Sequence, residues 1–369
     1  MRRARVIVAL SGGVDSAVAA ALLQRQGYRV SGVYLKYASE LVRGFVDVVN
    51  CTWQEDLAAV QAVGRRLSIP VQTVNVEQLY HRQVISRFLD GYARGRTPNP
   101  DVLCNQHVKF GWLADWARSR GARLATGHYA RISRTRSGLR LLAGVDVAKD
   151  QSYFLCALPQ PSLAQVLFPI GRYRKPEVRT LARAFGLPNA DRPDSQGVCF
   201  VGPLKVRRFL QSVLPPSPGP IIASNGQRVG THAGLGLFTV GQRHGLGVGG
   251  GQPYYVAAKL PATGTLIVGR GHDDPLLYSQ QLLTAPVHWL VPPPTTELNC
   301  RVRLRYRQPL VGARVAIQPT GSAVIRFDQP QRAVAPGQYA VLYRGAVVLG
   351  GAEIERVWLP ALNVIDDRG

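Results

Sequence analysis

One hexapeptide, SGGVDS at positions 11–16, constrains the fold more than any other segment. It lies between an apolar strand pattern at 5–10 and an apolar helix pattern at 17–26. Two adjacent glycines allow a tight turn whose N–H groups can bind an anion, and the following helix adds its positive dipole end. The hydroxyls of Ser11 and Ser16 can bind phosphate oxygens, and Asp15 can help hold Mg²⁺ on a pyrophosphate. The G-K-[ST] ending of a Walker A loop is missing, so the pattern predicts another kind of phosphate loop.

The rest of the first half alternates between strand and helix patterns. Strands are predicted at 29–35, 71–76 and 123–127, and helices at 55–67, 78–94 and 105–120. This alternation predicts an α/β fold of right-handed βαβ units with a parallel sheet, in which ligands bind beyond the carboxyl ends of the strands.

The character of the chain changes near residue 200. A small β-rich module is predicted next, followed by short strands at 300–306, 314–318, 324–327 and 339–343 that predict an antiparallel β-barrel. We therefore expect three domains, at 1–200, 201–280 and 281–369.

The charge of the chain indicates an anionic partner. The 369 residues carry 45 Lys+Arg against 22 Asp+Glu, a net charge of +23, and only six of the basic residues are lysines. The guanidinium group of arginine binds phosphates and stacks on bases. A GC-rich coding sequence would also favour arginine, but it does not explain why Asp and Glu are so few. No apolar run approaches the roughly 18–20 residues of a membrane span. The apolar N-terminal run is also too short for a signal peptide, so we expect no membrane association and a cytoplasmic protein.

The five cysteines are odd in number and include no C-x-x-C, which argues against a disulfide framework and a ribbon-type zinc site. Cys156 and Cys300 lie in apolar patterns and are predicted core thiols. Cys104 and Cys199 lie in polar, turn-rich segments. Two prolines stiffen the loop at 97–105, which can present Asp101 and Cys104, and a helix starting at 105 would lower the pKa of the Cys104 thiol. A capping loop with an incidental cysteine is an equally good interpretation.

Three further segments allow two interpretations each. The segment at 149–152 is either a helix N-cap or a set of base-reading groups, and that at 194–200 is either a linker or an arm carrying a reactive thiol. Arginines at 301, 303, 305 and 307 alternate with apolar residues. Such alternation predicts four guanidinium groups on one strand face, either solvated or bound to phosphates.

Taken together, the motifs resemble the tRNA-specific 2-thiouridylase (MnmA) family of PP-loop ATP pyrophosphatases. The matching segments are SGGVDS at 11–16, GRTPNPDVLCN at 95–105, ATGHY at 125–129, KDQSYFL at 149–155, DSQGVCFVG at 194–202, GQRHGLGVGG at 241–250, RYRQ at 305–308 and PGQ at 336–338. The resemblance implies a PP-loop domain, a small central domain and a C-terminal β-barrel. It also implies that ATP, Mg²⁺ and an enzyme-bound persulfide convert the wobble uridine of the tRNA anticodon loop to 2-thiouridine. A sulfur donor or relay protein would supply the persulfide, and AMP and pyrophosphate would be released.

The resemblance also assigns roles residue by residue. Nucleotide-binding positions are Ala9, Leu10, Ser11, Gly12, Gly13, Val14, Asp15, Ser16, Leu35 and Gly127, with Asp15 also serving the metal. Target-base contacts are Asn99, Pro100 and Asp101, and further tRNA contacts are His128, Lys149, Asp150, Gln151, Arg305, Tyr306 and Gln338. Cys104 matches the nucleophile and Cys199 the persulfide carrier, and Asp101 is a candidate general acid or base.

Two departures from the family pattern limit the assignment of residue roles by resemblance. The predicted helix at 55–67 has Ala59-Val60 where an Asp-Ala pair is common, and 37–50 lacks the expected acidic character. Two other function classes stay open at this point. Another PP-loop enzyme, adenylating a carboxylate before amide formation, would share SGGVDS without needing both cysteines. A non-catalytic tRNA-binding protein would keep only the Arg-rich barrel.

Overall fold

A computed structural model describes residues 3–37, 53–136, 138–194, 206–249, 251–294 and 296–359. The chain forms two compact units. The first comprises Met1–Ile85, Pro100–Lys205 and Gly345–Leu349, and the second comprises Ser86–Asn99, Val206–Arg344 and Gly350–Gly369. The three-domain division predicted above stays a prediction.

A parallel five-stranded sheet forms the centre of the first unit. Its strands are β1 (Arg5–Ala9), β2 (Arg29–Lys36), β3 (Val71–Asn75), β4 (Arg123–Ala125) and β7 (Val166–Leu167). They lie in the order β3-β2-β1-β4-β7. The strand order changes direction at β1, beside β4, and the SGGVDS turn follows β1 directly. This is where a ligand is expected in an open α/β sheet.

Helices and one hairpin complete the first unit. The helices are α1 (Val14–Arg25), α2 (Trp53–Leu67), α3 (Glu77–Tyr80), α5 (Pro100–Leu103), α6 (Leu113–Arg118) and α7 (Lys175–Ala184). Two π-helical segments, His81–Ile85 and Cys104–Trp112, continue α3 and α5. The small residues of α1 are almost completely buried, so this helix packs closely on the sheet. The hairpin of β5 (Ala130–Thr135) and β6 (Gly138–Ala143) continues through a pairing of Leu142 with Val347.

The second unit contains two β structures. A four-stranded sheet in the order β10-β11-β8-β9 is made of β8 (Gly219–Ala223), β9 (Arg228–His232), β10 (Tyr254–Leu260) and β11 (Thr265–Arg270). Helices α4 (Ser86–Ala93) and α8 (Val206–Val213) belong to the same unit. Ile221, Val256 and Leu266 form a hydrophobic cluster with Phe238, and Ala257 and Ile267 belong to a second cluster.

An antiparallel barrel of six long strands forms the rest of the second unit as far as the described residues go. Its strands are β12 (Tyr278–Thr284), β14 (Glu297–Arg303), β15 (Val311–Ile317), β16 (Ala323–Arg332), β17 (Tyr339–Arg344) and β18 (Val347–Trp358). The order is β12-β16-β15-β14-β17-β18, and pairing of β12 with β18 closes the barrel. The short strand β13 (His288–Trp289) pairs with β18. The predicted fold class, with a parallel-sheet domain, a central domain and a C-terminal antiparallel barrel, is confirmed.

The arginine-rich strand is shorter than predicted. Strand β14 ends at Arg303, and the chain then turns through Arg307, whose φ is +64°. The four arginines therefore do not share one solvated face. Arg303 is buried over the ring of Tyr343, at 5.3 Å from the ring centroid. The prediction of a continuous strand over 300–306 was wrong, because the period-two pattern continues past the point where the backbone leaves the sheet.

Candidate active site

The SGGVDS segment forms a tight turn between β1 and α1. Gly12 has a φ of +82°, which only glycine adopts easily, and a Cβ there would approach the carbonyl oxygen of Asp56 to 2.9 Å. The Ser16 hydroxyl donates to the Gly13 carbonyl at 3.1 Å and accepts from the Ser11 amide at 3.2 Å. Ser16 therefore closes the turn on itself, while Ser11 is exposed.

Two distant side chains fix the backbone of this turn. The Gly12 carbonyl accepts hydrogen bonds from Asn189 Nδ2 at 2.8 Å and from Arg192 Nη1 at 3.1 Å. Arg192 in turn forms an ion pair with Asp56 of α2 at 2.6 Å. These contacts hold the turn in one conformation, as a phosphate-binding loop requires.

Asp15 belongs to a network of charged side chains. Its two carboxylate oxygens accept from Lys175 Nζ at 2.8 and 2.9 Å, and Oδ1 also accepts from the Tyr129 hydroxyl at 2.9 Å. Burial, followed by the charge of Asp15, raises the pKa of Tyr129, so the phenol stays protonated and donates. Lys175 also contacts Asp194 at 2.7 Å.

Asp194 is held by two further cations. Lys149 lies 2.6 Å and Arg179 lies 3.1 Å from its carboxylate. Burial opposes the ionisation of Asp194, but hydrogen bonds and charges from Lys149 and Lys175 outweigh it and lower the pKa to about 2. We name the five residues Asp15, Lys149, Lys175, Arg179 and Asp194 the charge cluster. It holds three cations against two carboxylates, and a third carboxylate, that of Asp146, accepts from the Lys175 backbone amide at 2.8 Å.

The sequence patterns did not identify Lys175 as a site residue. It lies 160 positions from Asp15, at the first residue of α7, and no local motif marks it.

The charge cluster fits a Mg²⁺ ion that enters the site already bound to the phosphates of a substrate. Among the described residues, no group of three or more His, Cys, Asp or Glu side chains could hold a metal ion. Asp15 offers one carboxylate, and Mg²⁺ is often bound by one or two carboxylates together with substrate phosphates and water. The residues present therefore fit an ion carried by a pyrophosphate group rather than a preformed metal cage.

The loop after β4 approaches the same turn. A Cβ on Gly127 would come within 2.6 Å of the Ser16 amide nitrogen and 2.7 Å of the Asp15 carbonyl carbon. Gly127 thus allows the two backbones to touch. His128 Nδ1 lies 2.8 Å from the Thr126 hydroxyl, and its ring packs against Phe110 and Phe168. Burial, and to a smaller extent the charge of Lys109, lowers the pKa of His128 well below its usual value, so the imidazole is neutral near pH 7.

The remaining predicted nucleotide-binding positions lie in the strands and the helix that flank the turn or, for Leu10, directly after β1. Leu10, Val14 and Leu35 are buried, whereas Ala9 is half-buried at the end of β1.

Cys104 lies in a different helical position from the predicted one. The helix begins at Pro100, not at 105, and Cys104 begins its π-helical continuation with a relative exposure of 2%. The field of a helix dipole falls off within the first turn, so the argument that a helix N-terminus activates Cys104 does not apply. Asp101 lies in that first turn instead. Burial raises the pKa of Asp101, and the charge of Lys109 opposes this shift.

The prediction that Cys156 and Cys300 are core thiols is confirmed. Cys156 and Cys300 are buried. Burial raises the pKa of Cys156, and it raises that of Cys300 to about 12, which makes both poor nucleophiles. Cys199 lies outside the described residues, so its predicted role stays a prediction.

The predicted tRNA contacts at 149–151 brace the charge cluster. The buried carboxylate of Asp150 accepts from the amides of Gly144 at 2.9 Å and Ser152 at 3.1 Å. Gln151 exchanges two hydrogen bonds with the backbone of Tyr129, at 3.0 and 2.9 Å. Asp150 thus shapes the loop, while Lys149 reaches Asp194.

In the second unit, Gln338 holds the segment that carries Asn99. Its Nε2 donates to the Thr97 carbonyl at 2.8 Å, and its Oε1 accepts from Asn99 Nδ2 at 3.5 Å. The Thr97 amide also donates to the Pro336 carbonyl at 2.9 Å. The motifs at 97–99 and 336–338 therefore form one structure, which their separation in the sequence did not reveal.

Arg305 is bound to the protein itself. Its Nη2 donates to the carbonyls of Val240 at 2.8 Å and Ala333 at 2.7 Å, while Tyr306 lies beneath the Arg307 guanidinium at 5.1 Å. Arg305 therefore joins segments of the second unit, and a tRNA contact at this position stays a prediction.

Comparisons with known proteins decide the family. Residues 4–203 match a model described as tRNA methyl transferase HUP domain. Residues 207–270 match a tRNA methyl transferase PRC-barrel domain, and residues 279–354 match an aminomethyltransferase beta-barrel domain. The chain is 44% identical to tRNA-specific 2-thiouridylase MnmA of Halorhodospira halophila, over 95% of this chain and 93% of the relative. It is 45% identical to the MnmA of Methylococcus capsulatus, over 95% and 96% of the two chains.

The chain belongs to the MnmA family. The model descriptions mention methyl transfer, whereas these relatives of nearly full length carry a name that refers to thiolation. A 4-thiouridine synthetase in complex with RNA and ATP is 16% identical, with a TM-score of 0.33, and covers 57% of this chain and 50% of that one. This structural similarity is too low to support a conclusion about the chain.

Membership of the MnmA family confirms the resemblance deduced from the motifs. None of the helices in the described ranges is long and apolar enough to cross a membrane.

Proposed function

We propose that this protein is an ATP-dependent tRNA 2-thiouridylase acting on the wobble uridine of the anticodon loop. The observation that carries the proposal is its identity of about 44%, over almost the whole length, with proteins named for this activity. The charge cluster around Asp15 supports it, because ammonium and guanidinium groups beside a phosphate loop can stabilise the charge that develops during adenylation. AMP and pyrophosphate are the expected side products.

In the first step, the uridine O2 attacks the α-phosphorus of ATP. The O2–phosphorus bond forms, the bond to the bridging oxygen breaks, and pyrophosphate leaves. Lys149 and Lys175 stabilise the negative charge that develops, and bound Mg²⁺ would supply further charge neutralisation on the pyrophosphate. Asp101 is proposed to accept the N3 proton, because a carboxylate of raised pKa is a better base near neutral pH.

In the second step, sulfur replaces the activated oxygen. The terminal sulfur of a persulfide on Cys199 attacks C2, and AMP departs with the oxygen. The Cys104 thiolate then attacks the Cys199 sulfur, which forms a disulfide and releases 2-thiouridine. In the alternative route, Cys104 attacks the persulfide first, and the sulfide released attacks C2. In either case a persulfide donor must reload Cys199, and an external thiol must reduce the disulfide.

The test is reconstitution with ATP, unmodified tRNA and a chemical persulfide donor, followed by mass spectrometry of nucleosides and assay of AMP. Wild-type protein should form 2-thiouridine and AMP. Cys104→Ser and Cys199→Ser should each fold and bind tRNA but form no 2-thiouridine, because a hydroxyl is a poor nucleophile near neutral pH and cannot carry sulfane sulfur. Only Cys104→Ser should accept labelled sulfur from the donor.

Cys300→Ala is the matched control, because it removes a buried thiol of raised pKa from the barrel. It should retain thiolation. Complete thiolation by Cys199→Ser would contradict the persulfide role. Wild-type protein that forms AMP without 2-thiouridine would instead indicate another adenylating enzyme, and protein that binds tRNA without consuming ATP would indicate a non-catalytic function.

A further inference from the structure

A half-buried lysine that the thiolation chemistry does not use lies in the second unit. Lys259 is near the end of β10, and its Nζ donates to the Phe238 carbonyl at 2.9 Å, the Arg96 carbonyl at 3.2 Å and the Thr97 hydroxyl at 3.5 Å. Three neutral oxygens therefore occupy the three donors of the ammonium. In the part of the chain that the structure describes, no carboxylate forms an ion pair with it.

These hydrogen bonds join parts that are far apart in the sequence. Lys259 is 163 positions from Arg96, and it connects β10 to residues 96–97 and to the turn at Phe238. The ammonium hydrogen-bonds oxygens of three separate residues, so this one side chain joins segments that no local sequence pattern brings together.

Residues 96–97 are held from other directions as well. The Arg96 guanidinium pairs with Glu353 of β18 at 2.6 Å, and Thr97 is hydrogen-bonded to Pro336 and Gln338. The next residues along the chain are Pro98 and Asn99, followed by Asp101. The segment that carries the proposed target-base contacts is therefore fastened immediately before those contacts begin.

We propose that Lys259 is a positioning residue for thiolation, which holds residues 96–97 so that the segment starting at Asn99 presents the target uridine in one reactive geometry. The inference rests on the proposed function and adds a residue that no motif marks. Lys259 acts through the loop and does not touch the substrate.

The surroundings of Lys259 make this positioning sensitive to pH. Burial lowers the pKa of Lys259 to about 7. Burial raises the pKa of Glu353, and the hydrogen bond and charge of Arg96 oppose the rise. Arg207 and His232 pack on the Phe238 ring. Burial also raises the pKa of nearby Tyr92 to about 12, so Tyr92 stays neutral. Deprotonation of Lys259 removes one donor and the charge, which loosens residues 96–97 as the pH rises above about 7.

The experiment compares Lys259→Met and Lys259→Arg with wild-type protein and Arg208→Met. The last variant removes one positive charge from an exposed position of α8. The measurements are the tRNA dissociation constant, the ATP dissociation constant, and the single-turnover rate of AMP and 2-thiouridine formation at saturating tRNA, from about pH 6 to about pH 9. Circular dichroism checks the fold of each variant.

Lys259→Met should lower the single-turnover rate by about 10- to 100-fold, with less than about a threefold change in either dissociation constant, because a displacement of about 1 Å has this effect on rate. Arg208→Met should retain the wild-type rate. The wild-type rate should fall as the pH rises through about 7, and the fall should be absent in Lys259→Arg, since a guanidinium stays protonated.

A wild-type rate in Lys259→Met would overturn the proposal, as would a loss of tRNA and ATP binding equal to the loss of rate, which would indicate a purely structural role. If the single-turnover rate of a folded Lys259→Arg variant also falls as the pH rises, the proposed pH sensitivity is wrong. If Lys259→Arg does not fold, the rate of Lys259→Met alone tests the positioning role. Wild-type protein that makes no 2-thiouridine would instead contradict the proposed function itself.

Discussion

At the scale of single residues, the ammonium of Lys175 links the two carboxylates of the charge cluster. Its side chain is 10% exposed and touches both Asp15 and Asp194. Without it, Asp15 loses its ammonium partner, while Asp194 keeps Lys149 and Arg179. Both carboxylates are about one-third exposed, so water compensates part of the loss.

We predict that Lys175→Met lowers the free energy of unfolding by about 1–3 kcal/mol at pH 7, measured by urea denaturation. The effect should depend on pH. The pKa of Asp194 is depressed to about 2, so its stabilisation is present above the ordinary pKa of 3.8 and is lost as the pH falls through 2. The difference between wild-type protein and Lys175→Met should therefore shrink as the pH is lowered from about 5 to about 2.

Arg183→Met provides the matched control for this prediction. Arg183 forms an ion pair with Asp191 at 2.7 Å, but the two side chains are 62% and 75% exposed. Exposed pairs contribute roughly 0–1 kcal/mol, so the control should unfold almost as wild-type protein does. A Lys175→Met deficit that stays constant across the pH range would show that the charge cluster does not explain the stability.

At the scale of elements, two backbones meet where the loop after β4 touches the start of α1. Gly127 permits this contact, because the nearest atoms to a hypothetical Cβ belong to the backbone and cannot rotate away. The nucleotide site therefore depends on the absence of a side chain at one position.

We predict that Gly127→Ala lowers the free energy of unfolding by about 1–3 kcal/mol through overpacking and weakens ATP binding by displacing the SGGVDS turn. Thermal unfolding and ATP titration would measure the two effects. Gly249→Ala is the control, since nothing lies within 4 Å of a Cβ there, and it should change stability by less than about 0.5 kcal/mol. Unaltered ATP affinity in Gly127→Ala would mean that the loop after β4 takes no part in the site.

Arg305 offers a second element-scale prediction. Val240 and Ala333 are buried, so Arg305→Ala leaves their carbonyls without this charged donor and should cost about 2 kcal/mol or more. Arg307→Ala removes an exposed guanidinium from the same turn and should cost less than about 1 kcal/mol. Urea unfolding distinguishes them, and equal stability of the two variants would show that the clamp on the two carbonyls is unimportant.

At the scale of the whole molecule, the net charge of +23 governs association with tRNA. We predict that tRNA affinity falls by at least about tenfold when monovalent salt is raised fourfold, because phosphate contacts release counterions. Filter binding at several salt concentrations would give the slope of log affinity against log salt. Affinity that does not change with salt would exclude phosphate contacts as the main source of binding.

The sequence predicts local structure better than long-range pairing. The SGGVDS segment and the strands on either side of it are recognisable because glycines, hydroxyls and buried runs are adjacent in the chain. The observed β1, β2 and β3 lie within one residue of the predicted bounds. Local patterns do not state which distant residue will be the partner, so Lys175 beside Asp15 and Lys259 beside Arg96 could not be predicted.

The errors in the predicted ends of strands and helices have a different cause. Alternation of arginine with apolar residues continues beyond Arg303, although the backbone has already left the sheet. The helix that contains Cys104 starts earlier than predicted, because Pro100 fits a first helical turn, where its missing N–H is no loss. The hydrophobic periodicity of a segment indicates which of its faces is buried, whereas the residues at its ends determine where the helix or strand stops.

The crossing of the chain between the two units has a consequence for synthesis on the ribosome. Leu142 of β6 pairs with Val347, which belongs to the first unit although most of the second unit precedes it in the sequence. Translation proceeds at roughly 5–20 residues per second, so the nascent hairpin waits many seconds with that edge unpaired. An open strand edge can bind another nascent chain. Ribosomes that stall before this last segment would release a polypeptide whose amino-terminal half is almost complete and yet has an exposed strand edge.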